Sequence, residues 1–414
     1  MATNAKNLAE LLNTDTTVKV GDIEDGSVTT AKLAASAVTT AKVADNAVTS
    51  AKLYASNVGR RNMIINGDMR IAQRGTSGTP TDSLVSLDRF RGRTYGGSGR
   101  FTMAQVSGGD GGVNIPNGEF PYACKLTVTT PAASEDAYDY SIAQYIEADT
   151  FAKLGWGRNE AGETLKKCTI SFHMKTSVAG VYSVSLRSNG AGRSIVKETP
   201  SISANTWTKV ALTFDGASNT SWRALGSGTG ALFEINLGKS NAKATSTLNT
   251  DQAGNFVAST NQVRWIATNG ATFFLTGVQI EEGDTATDFE HLPFQESLAM
   301  CQRYYTTSYD LGHYPGQATA QGALFSRVFG NSAVSNIPQQ VQFPVSMRAA
   351  PTVTVYSLDG TSGSVSDCAT GYTHTANDAI GISGTIGFKG WSKLNSVSVT
   401  AGDIIGYHYT AEAE

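Results

Sequence analysis

An apolar residue returns every fifth position through the first part of this chain: Val18, Ile23, Val28, Leu33, Val38, Val43, Val48, Leu53, Val58 and Met63. Around them the text repeats as a decapeptide, DGSVTTAKLA, ASAVTTAKVA, DNAVTSAKLY, between Asp25 and Tyr54. On an α-helix a step of five turns each apolar side chain by about 140° from the last, so no stripe forms. On a strand an odd step sends each one to the opposite face. The chain must therefore bend or coil once per unit, and Asp25-Gly26, Ala35-Ser36 and Asp45-Asn46 stand where such bends fall. One thread of this kind has no second layer to bury its apolar column. Several copies wound about a common axis do, with Lys32, Lys42 and Lys52 left in water, so the repeat predicts an intertwined homo-oligomeric shaft over residues 17–59 with these apolar positions at its axis. Ahead of it, AKNLAELL (residues 5–12) sets Leu8, Leu11 and Leu12 at helical spacing, a two-turn docking segment within residues 1–16.

Beyond the repeat the periodicity changes to two. Cys124, Leu126 and Val128 alternate with polar partners, as do Cys168, Ile170, Phe172 and Met174, then Val210, Leu212 and Phe214, then the run Phe274 to Ile280. Turn signals separate them at Ser188-Asn189-Gly190, Asp215-Gly216 and Gly226 to Gly230. Half-buried strands joined by Gly/Ser/Asn loops predict an all-β sandwich across residues 60–294. After Pro293, QESLAMCQRYY reads as helix or strand, and a connector is the expectation. Residues 295–414 form a second β-rich unit, with strands expected within Val341–Tyr356, Ile380–Phe388, Ser396–Val399 and Ile404–Tyr409.

Composition sharpens the picture in four respects. Charged residues make up 16% of the 414, below the ~25% usual in soluble proteins, as suits a turn-rich β-protein. A net charge of −3 without a basic block argues against nucleic acid as a partner. No apolar run approaches a membrane span, and MATNAKNLAELLNTD has no signal-peptide core, so neither membrane insertion nor secretory export is expected. Cys124, Cys168, Cys301 and Cys368 fit no zinc or CxxC spacing and read as free thiols.

Six segments carry a resemblance. GRRNMIINGDMRIAQRGTS (Gly59–Ser77) with SLDRFRG (Ser86–Gly92) is similar to the segment that opens the post-shaft domain of bacteriophage tail-fibre proteins, the matching residues being Asn62, Ile64, Ile65, Asn66, Gly67, Gln73, Arg74, Gly75, Asp88, Arg89 and Phe90. GVQIEEGDTATDFEHLPFQESLAMCQRYY (Gly277–Tyr305) resembles that family's closing strand and exit into a terminal domain. The decapeptide repeat is also common in such fibres. SANTWTKVALTF (Ser203–Phe214) resembles late strands of carbohydrate-binding jelly rolls, and VQFPVSMRAAPTVTVY (Val341–Tyr356) resembles phage-fibre tip domains. The resemblance implies a homotrimer docked on phage tail or adaptor proteins by its N-terminus. It implies a jelly roll followed by a receptor-binding tip (295–414), carried on the virion tail after synthesis in the host cytoplasm, and attachment to a host surface polysaccharide. A tailspike that depolymerises or deacetylates glycan, and a carbohydrate-binding module of a secreted bacterial protein, are the alternatives.

Chemistry is sparse. GxSxG, HExxH and P-loop patterns are missing, and the cluster Glu281, Glu282, Asp284, Asp288 and Glu290 reads as solvation of the sandwich exit rather than a catalytic or calcium site. No catalytic residue, metal or cofactor is therefore expected. A sugar presents apolar C–H faces beside hydroxyl rims and wants an aromatic plate with polar neighbours. Trp222 in SNTSWRALGSG, Tyr372 and His374 in GYTHTAND, and Trp391 in FKGWSK have that company.

Overall fold

A computed structural model of the chain describes residues 60–413 apart from 82, 109–114, 133–138, 159–164, 189–191, 224, 240, 328–339, 369–370, 372, 376–381 and 390–402. The docking segment and the axial positions from Val18 to Val58 lie outside the described residues. Contacts divide the chain between Gly59 and Arg60, and residues 60–414 form one unit that holds both predicted β-domains.

The sandwich is built from β1 (Arg91–Tyr95), β2 (Arg100–Ser107), β3 (Tyr122–Thr130), β4 (Asp139–Glu147), β5 (Cys168–Thr176), β6 (Ser183–Ser188), β7 (Arg193–Glu198), β8 (Thr208–Phe214), β9 (Thr229–Asn236) and β10 (Thr272–Glu282). One antiparallel sheet runs β2-β3-β10-β5-β8 and the other β7-β6-β9-β4-β1, each extended at one edge by a two-residue strand, Ser77–Gly78 and Gln252–Ala253. The alternating residues do what their period predicts: Cys124, Leu126, Cys168, Ile170, Phe172, Met174, Phe214, Phe233 and Ile235 all bury completely between the sheets. Burial pushes the Cys124 and Cys168 thiols well up, so neither is a nucleophile.

β10 departs from strict alternation. Its register against β5 shifts between Thr276 and Gln279, so Phe273 and Leu275 face the core on one side of the irregularity and Val278 and Ile280 on the other. Gly277 sits in the shift with φ 61°, and a Cβ there would lie 2.5 Å from the Phe120 ring. Phe274, expected inside, instead joins a small outer cluster with Ile115, Phe120 and Ala123.

Met63 was placed on the shaft axis by its period, and the structure corrects this. Its amide donates to the Ile280 carbonyl at 2.8 Å and its side chain enters the sandwich core, 5% exposed. The five-residue period coincides there with a β-contact that has its own cause. Gly67 lies in the same hook of chain, where a Cβ would come within 2.1 Å of the Val278 carbonyl oxygen.

The connector after Pro293 is a helix, α1 (Phe294–Gln302), whose Ser297 and Cys301, one turn apart, face inward. The C-terminal part follows as β11 (Tyr305–Thr307), β12 (Leu324–Arg327), β13 (Gln340–Gln342), β14 (Thr352–Tyr356), β15 (Ser364–Asp367), β16 (Thr373–Thr375), β17 (Ile382–Gly384), β18 (Gly387–Lys389) and β19 (Ile404–Glu412). β19 pairs with β11, β12, β14 and β15, while β13, β18 and β17 make a separate small sheet. Ile380–Phe388, expected as one strand, holds the tight hairpin β17–β18, and Ser396–Val399 lies outside the described residues. Phe343, Phe388 and Tyr409 lie at the centre of this second core, with ring centroids 5.3–6.0 Å apart.

Candidate functional site

Trp222 is not the exposed plate its polar neighbours suggested. Asn219 caps a one-turn 3-10 helix, Thr220–Trp222, by accepting from the Ser221 amide at 3.0 Å, and the turn folds the indole inward to 1% exposure. The ring stacks on Phe151 at 6.1 Å and meets Trp156 edge-on at 5.2 Å, and its Nε1 donates to Asp251 at 3.0 Å. Arg193 grips the same carboxylate with two bonds, at 3.0 and 2.6 Å. Both faces are thus occupied by protein. His374 lies on β16 opposite Val365, with its backbone alone described, and Tyr372 and Trp391 lie outside the described residues.

The tail-fibre-like motif residues form a buried polar joint. Asn66, at φ 63°, donates through Nδ2 to the carbonyls of Ile71 and Asp88, both at 2.9 Å, and accepts from the Ile71 amide. Asp88 accepts from the Gln73 amide at 3.2 Å, from Gln73 Nε2 at 2.5 Å and from Arg74 at 3.3 Å. Gln73 Nε2 also donates to the Tyr305 carbonyl at 2.9 Å. The Arg74 guanidinium lies 3.8 Å over the Tyr305 ring and reaches Glu412 at 3.2 Å, while Arg89 lies 3.5 Å over the Tyr304 ring. The motif therefore bonds the sandwich to the start and end of the C-terminal sheet. Two residues of the acidic cluster are structural, correcting their reading as solvation, while Glu282, Asp284 and Asp288 are exposed as that reading expects. Glu290 accepts from the Arg61 and Asn62 amides, and Glu281, 1% exposed, accepts from Thr287 and Gln279.

Beside this joint lies a cleft of about 520 Å³, within the range of small-ligand sites. Tyr122 comes to it from β3, Tyr309 and Tyr314 from the loop after β11, and Gln73, Gln105 and Asp310 supply polar groups. Tyr122 and Tyr314 are both half-buried, and the Tyr314 phenol is pushed up by burial and by Tyr122 beside it. Tyr309 is held from behind by His408, whose ring stacks parallel to it at 3.8 Å. The His408 tautomer follows from its partners. Burial lowers its pKa, so the ring is neutral near pH 7; Nε2 faces the Thr319 carbonyl at 3.0 Å and must donate. Nδ1 then accepts from Ser308 Oγ at 3.3 Å, which itself accepts from the Tyr409 amide. The aromatic wall is thereby fixed before a ligand arrives, which lowers the ordering cost of binding. Leu311, 67% exposed, sits in the same loop. Sequence patterning selects neither Tyr309 nor Tyr314; the company of Asp310, His313 and Gln317 around Tyr314 is the signal that could have selected it.

The outward face of the second sheet carries a different chemistry. Glu234 on β9 accepts from Ser141 at 2.5 Å and pairs with Arg187 at 2.7 Å, and Arg93 lies 3.5 Å from both Glu234 and Asp139. Lys243 approaches Asp139 at 3.4 Å. Burial, reinforced by the Glu234 charge, pushes the Asp139 carboxyl up to about 7. Burial also opposes ionisation of Glu234, but Arg187 and Arg93 outweigh it and hold that group below the usual range. Asp139 thus keeps its proton in the folded state over a window, about pH 4 to 7, in which the unfolded chain has lost it. Stability from this group falls as pH rises through that window, by up to about 1.4 kcal/mol per unit. Asp139→Asn keeps a donor toward Glu234 and removes the slope, so the variant should gain Tm relative to the parent between pH 5 and pH 8. Parallel Tm–pH curves for the two proteins would show that Asp139 does not hold the proton.

No family model matches the sequence, and no curated protein matches it. Among solved structures, the enzymatically active domain of tailspike protein 4 of bacteriophage CBA120 aligns at 13% identity and TM-score 0.26, covering 53% of this chain and 21% of that one. This chain therefore accounts for about a fifth of the tailspike's length. A putative sugar binding protein from Bacteroides thetaiotaomicron aligns at 13% identity and TM-score 0.29, covering 54% and 100%. A family 11 carbohydrate-binding module from Clostridium thermocellum, in complex with a mixed-linked tetrasaccharide, aligns at 11% and 0.25, covering 52% and 98%. Likeness at this level leaves the function of the chain to its own geometry.

Proposed function

We propose that this chain is the subunit of a trimeric bacteriophage tail fibre that holds a bacterial surface polysaccharide in the cleft of Tyr122, Tyr309 and Tyr314. The observation that carries the reading is that cleft. The half-buried phenol rings of Tyr122 and Tyr314 come from two β-domains and, with buried Tyr309, share with amides and a carboxylate the lining of a volume suited to a small oligosaccharide, which matches the apolar faces and hydroxyl rims of a sugar. The decapeptide repeat and the tail-fibre-like segments around Asn66 and Asp88 supply the fibre part of the proposal. Adhesion would work by avidity, three weak sites on one shaft multiplied over several fibres, with no bond of the glycan broken.

Tyr314→Ala tests the site in the full-length protein. Removing one stacked ring should weaken each site by up to about tenfold, and cell adhesion by more because the sites act together. Tm should stay within a degree or two, since the ring packs no core. Unchanged adhesion and unchanged glycan-array signals in that variant would sink the site. The assembly is tested separately by light scattering. A trimer mass is expected, with Val38→Asp plus Val43→Asp lowering it because the charges would meet at the axis without partners. A monomer or dimer of the parent at micromolar concentration contradicts the fibre.

A further inference from the structure

Resting on the glycan reading of the same site, we infer that the cleft of Tyr122, Tyr309 and Tyr314 selects an amino sugar whose nitrogen is a free ammonium, and that Asp310 is the residue that reads it. The lining holds one guanidinium and one carboxylate, those of Arg70 and Asp310. Arg70 is committed to the protein: Asp68 takes its Nε and its Nη2, and Nη1 donates to the Leu292 carbonyl at 3.1 Å. The Asp310 carboxylate takes no hydrogen bond and no ion pair from the described residues. Its backbone is nevertheless fixed on both sides, the carbonyl accepting from the His313 amide at 2.9 Å and the amide donating to the Gln321 carbonyl at 3.4 Å. A pinned carboxylate without a counter-charge therefore stands at the cleft.

The side-chain amides of the lining point the same way. Gln73 gives its Nε2 to Asp88 and to the Tyr305 carbonyl, and Gln105 gives its Nε2 to the Met69 carbonyl at 2.7 Å. Each is left with its oxygen, an acceptor that no described residue uses. The hydroxyls of a neutral hexose both donate and accept, and an N-acetyl group brings a carbonyl oxygen of its own along with a single N–H. An ammonium only donates, with three N–H bonds and a positive charge, and so fits these acceptors and the Asp310 carboxylate together. Half-buried Tyr122 and Tyr314 add ring faces, whose negative quadrupole attracts a cation. The joint that bonds the two β-cores thus also decides what its neighbouring cleft can hold, because it draws the amide donors of Gln73 and Gln105 into the protein.

Calorimetric titration of the full chain with the glucosamine trisaccharide and with its N-acetylated form reads the inference directly, at about pH 7, below the ~7.7–8.0 at which an ordinary α-amino group loses its proton. The free amine should bind roughly tenfold more tightly than the N-acetylated form, and the advantage should shrink in about 0.5 M salt because Asp310 is exposed. Asp310→Asn should cut the advantage to about threefold or less while leaving Tm unchanged, since the carboxylate holds nothing in the fold and the backbone bonds remain. Choline, a cation without an N–H, should not displace the trisaccharide at equal concentration. Displacement by choline would assign the cleft to a quaternary ammonium and overturn the amino sugar. Equal binding of the amine and N-acetyl forms, or the full advantage in Asp310→Asn, overturns the inference and leaves the glycan reading intact, and so does binding of neither form when Tyr314→Ala has lost adhesion. Binding of neither form, together with normal cell adhesion by Tyr314→Ala, overturns both.

Discussion

Asp88→Ala should cost the folded protein about 3–5 kcal/mol, a large share of the stability of any domain. Asp88 is 1% exposed and accepts from the Gln73 amide, the Gln73 side chain and Arg74. Its removal leaves the Arg74 guanidinium, itself 9% exposed, without its buried partner. The loss falls where the two β-cores are bonded, because Gln73 and Arg74 are the residues that reach Tyr305 and Glu412. Urea unfolding followed by tryptophan fluorescence, weighted to the sandwich because four of the five tryptophans lie there and Trp391 lies beyond it, and by tyrosine near-ultraviolet dichroism, which samples both parts, should give one transition for the parent and two for the variant. A midpoint shift worth less than about 1 kcal/mol, with the two probes still coincident, would falsify the role of this motif as the joint.

Trp222→Ala carries a comparable cost, about 3–5 kcal/mol, for a different reason. The indole fills the space between Phe151 and Trp156, and its Nε1 is a donor to Asp251. Truncation opens a cavity that rigid strands cannot collapse, and it removes one of the donors to a carboxylate that Arg193 alone must then hold. Trp222→Phe should recover much of the packing but none of the hydrogen bond. Thermal denaturation of the three proteins should therefore rank parent, Phe, Ala. Should the Ala variant keep the parental Tm, the ring is not the buried pillar described above. Any loss of adhesion in this variant reports the fold and not a sugar contact.

These two residues show how far the chain could be read in advance. The sandwich was legible because a half-buried strand has to alternate, and Cys168 to Met174 do so without interruption. Phe274 was misplaced because alternation assumes an unbroken register, and the shift around Gly277 reverses the phase. Trp222 was misread because Ser, Asn and Thr neighbours announce a turn but not the direction in which the turn points; the Asn219 cap decides that, and it turns the ring inward. Asn66, Gln73, Asp88 and Arg89 stood out by resemblance without their physical role, which became visible only once their partners Tyr304, Tyr305 and Glu412 were in place. The cleft could not be read at all in one dimension. Tyr122 and Tyr314 are separated by nearly half the chain, and their shared wall exists only because the joint brings β3 against the loop after β11.

The position of β19 bears on how the molecule is made. It is the latest strand of its sheet in the chain, yet it takes β11, β12, β14 and β15 as partners, so four segments synthesised earlier have no common backbone to pair with until it arrives. During translation at ~5–20 residues per second, the stretch from β11 to β19 spends several seconds with its edges open. The sandwich closes earlier, when β10 emerges, and can carry that waiting stretch on an already folded support. Vectorial synthesis thus orders assembly from the middle outward, and the second core acts as a checkpoint: a ribosome that stops short of Ile404 releases a sandwich on which β11, β12, β14 and β15 lack the strand they share, with open edges that proteases and chaperones can tell from the finished subunit.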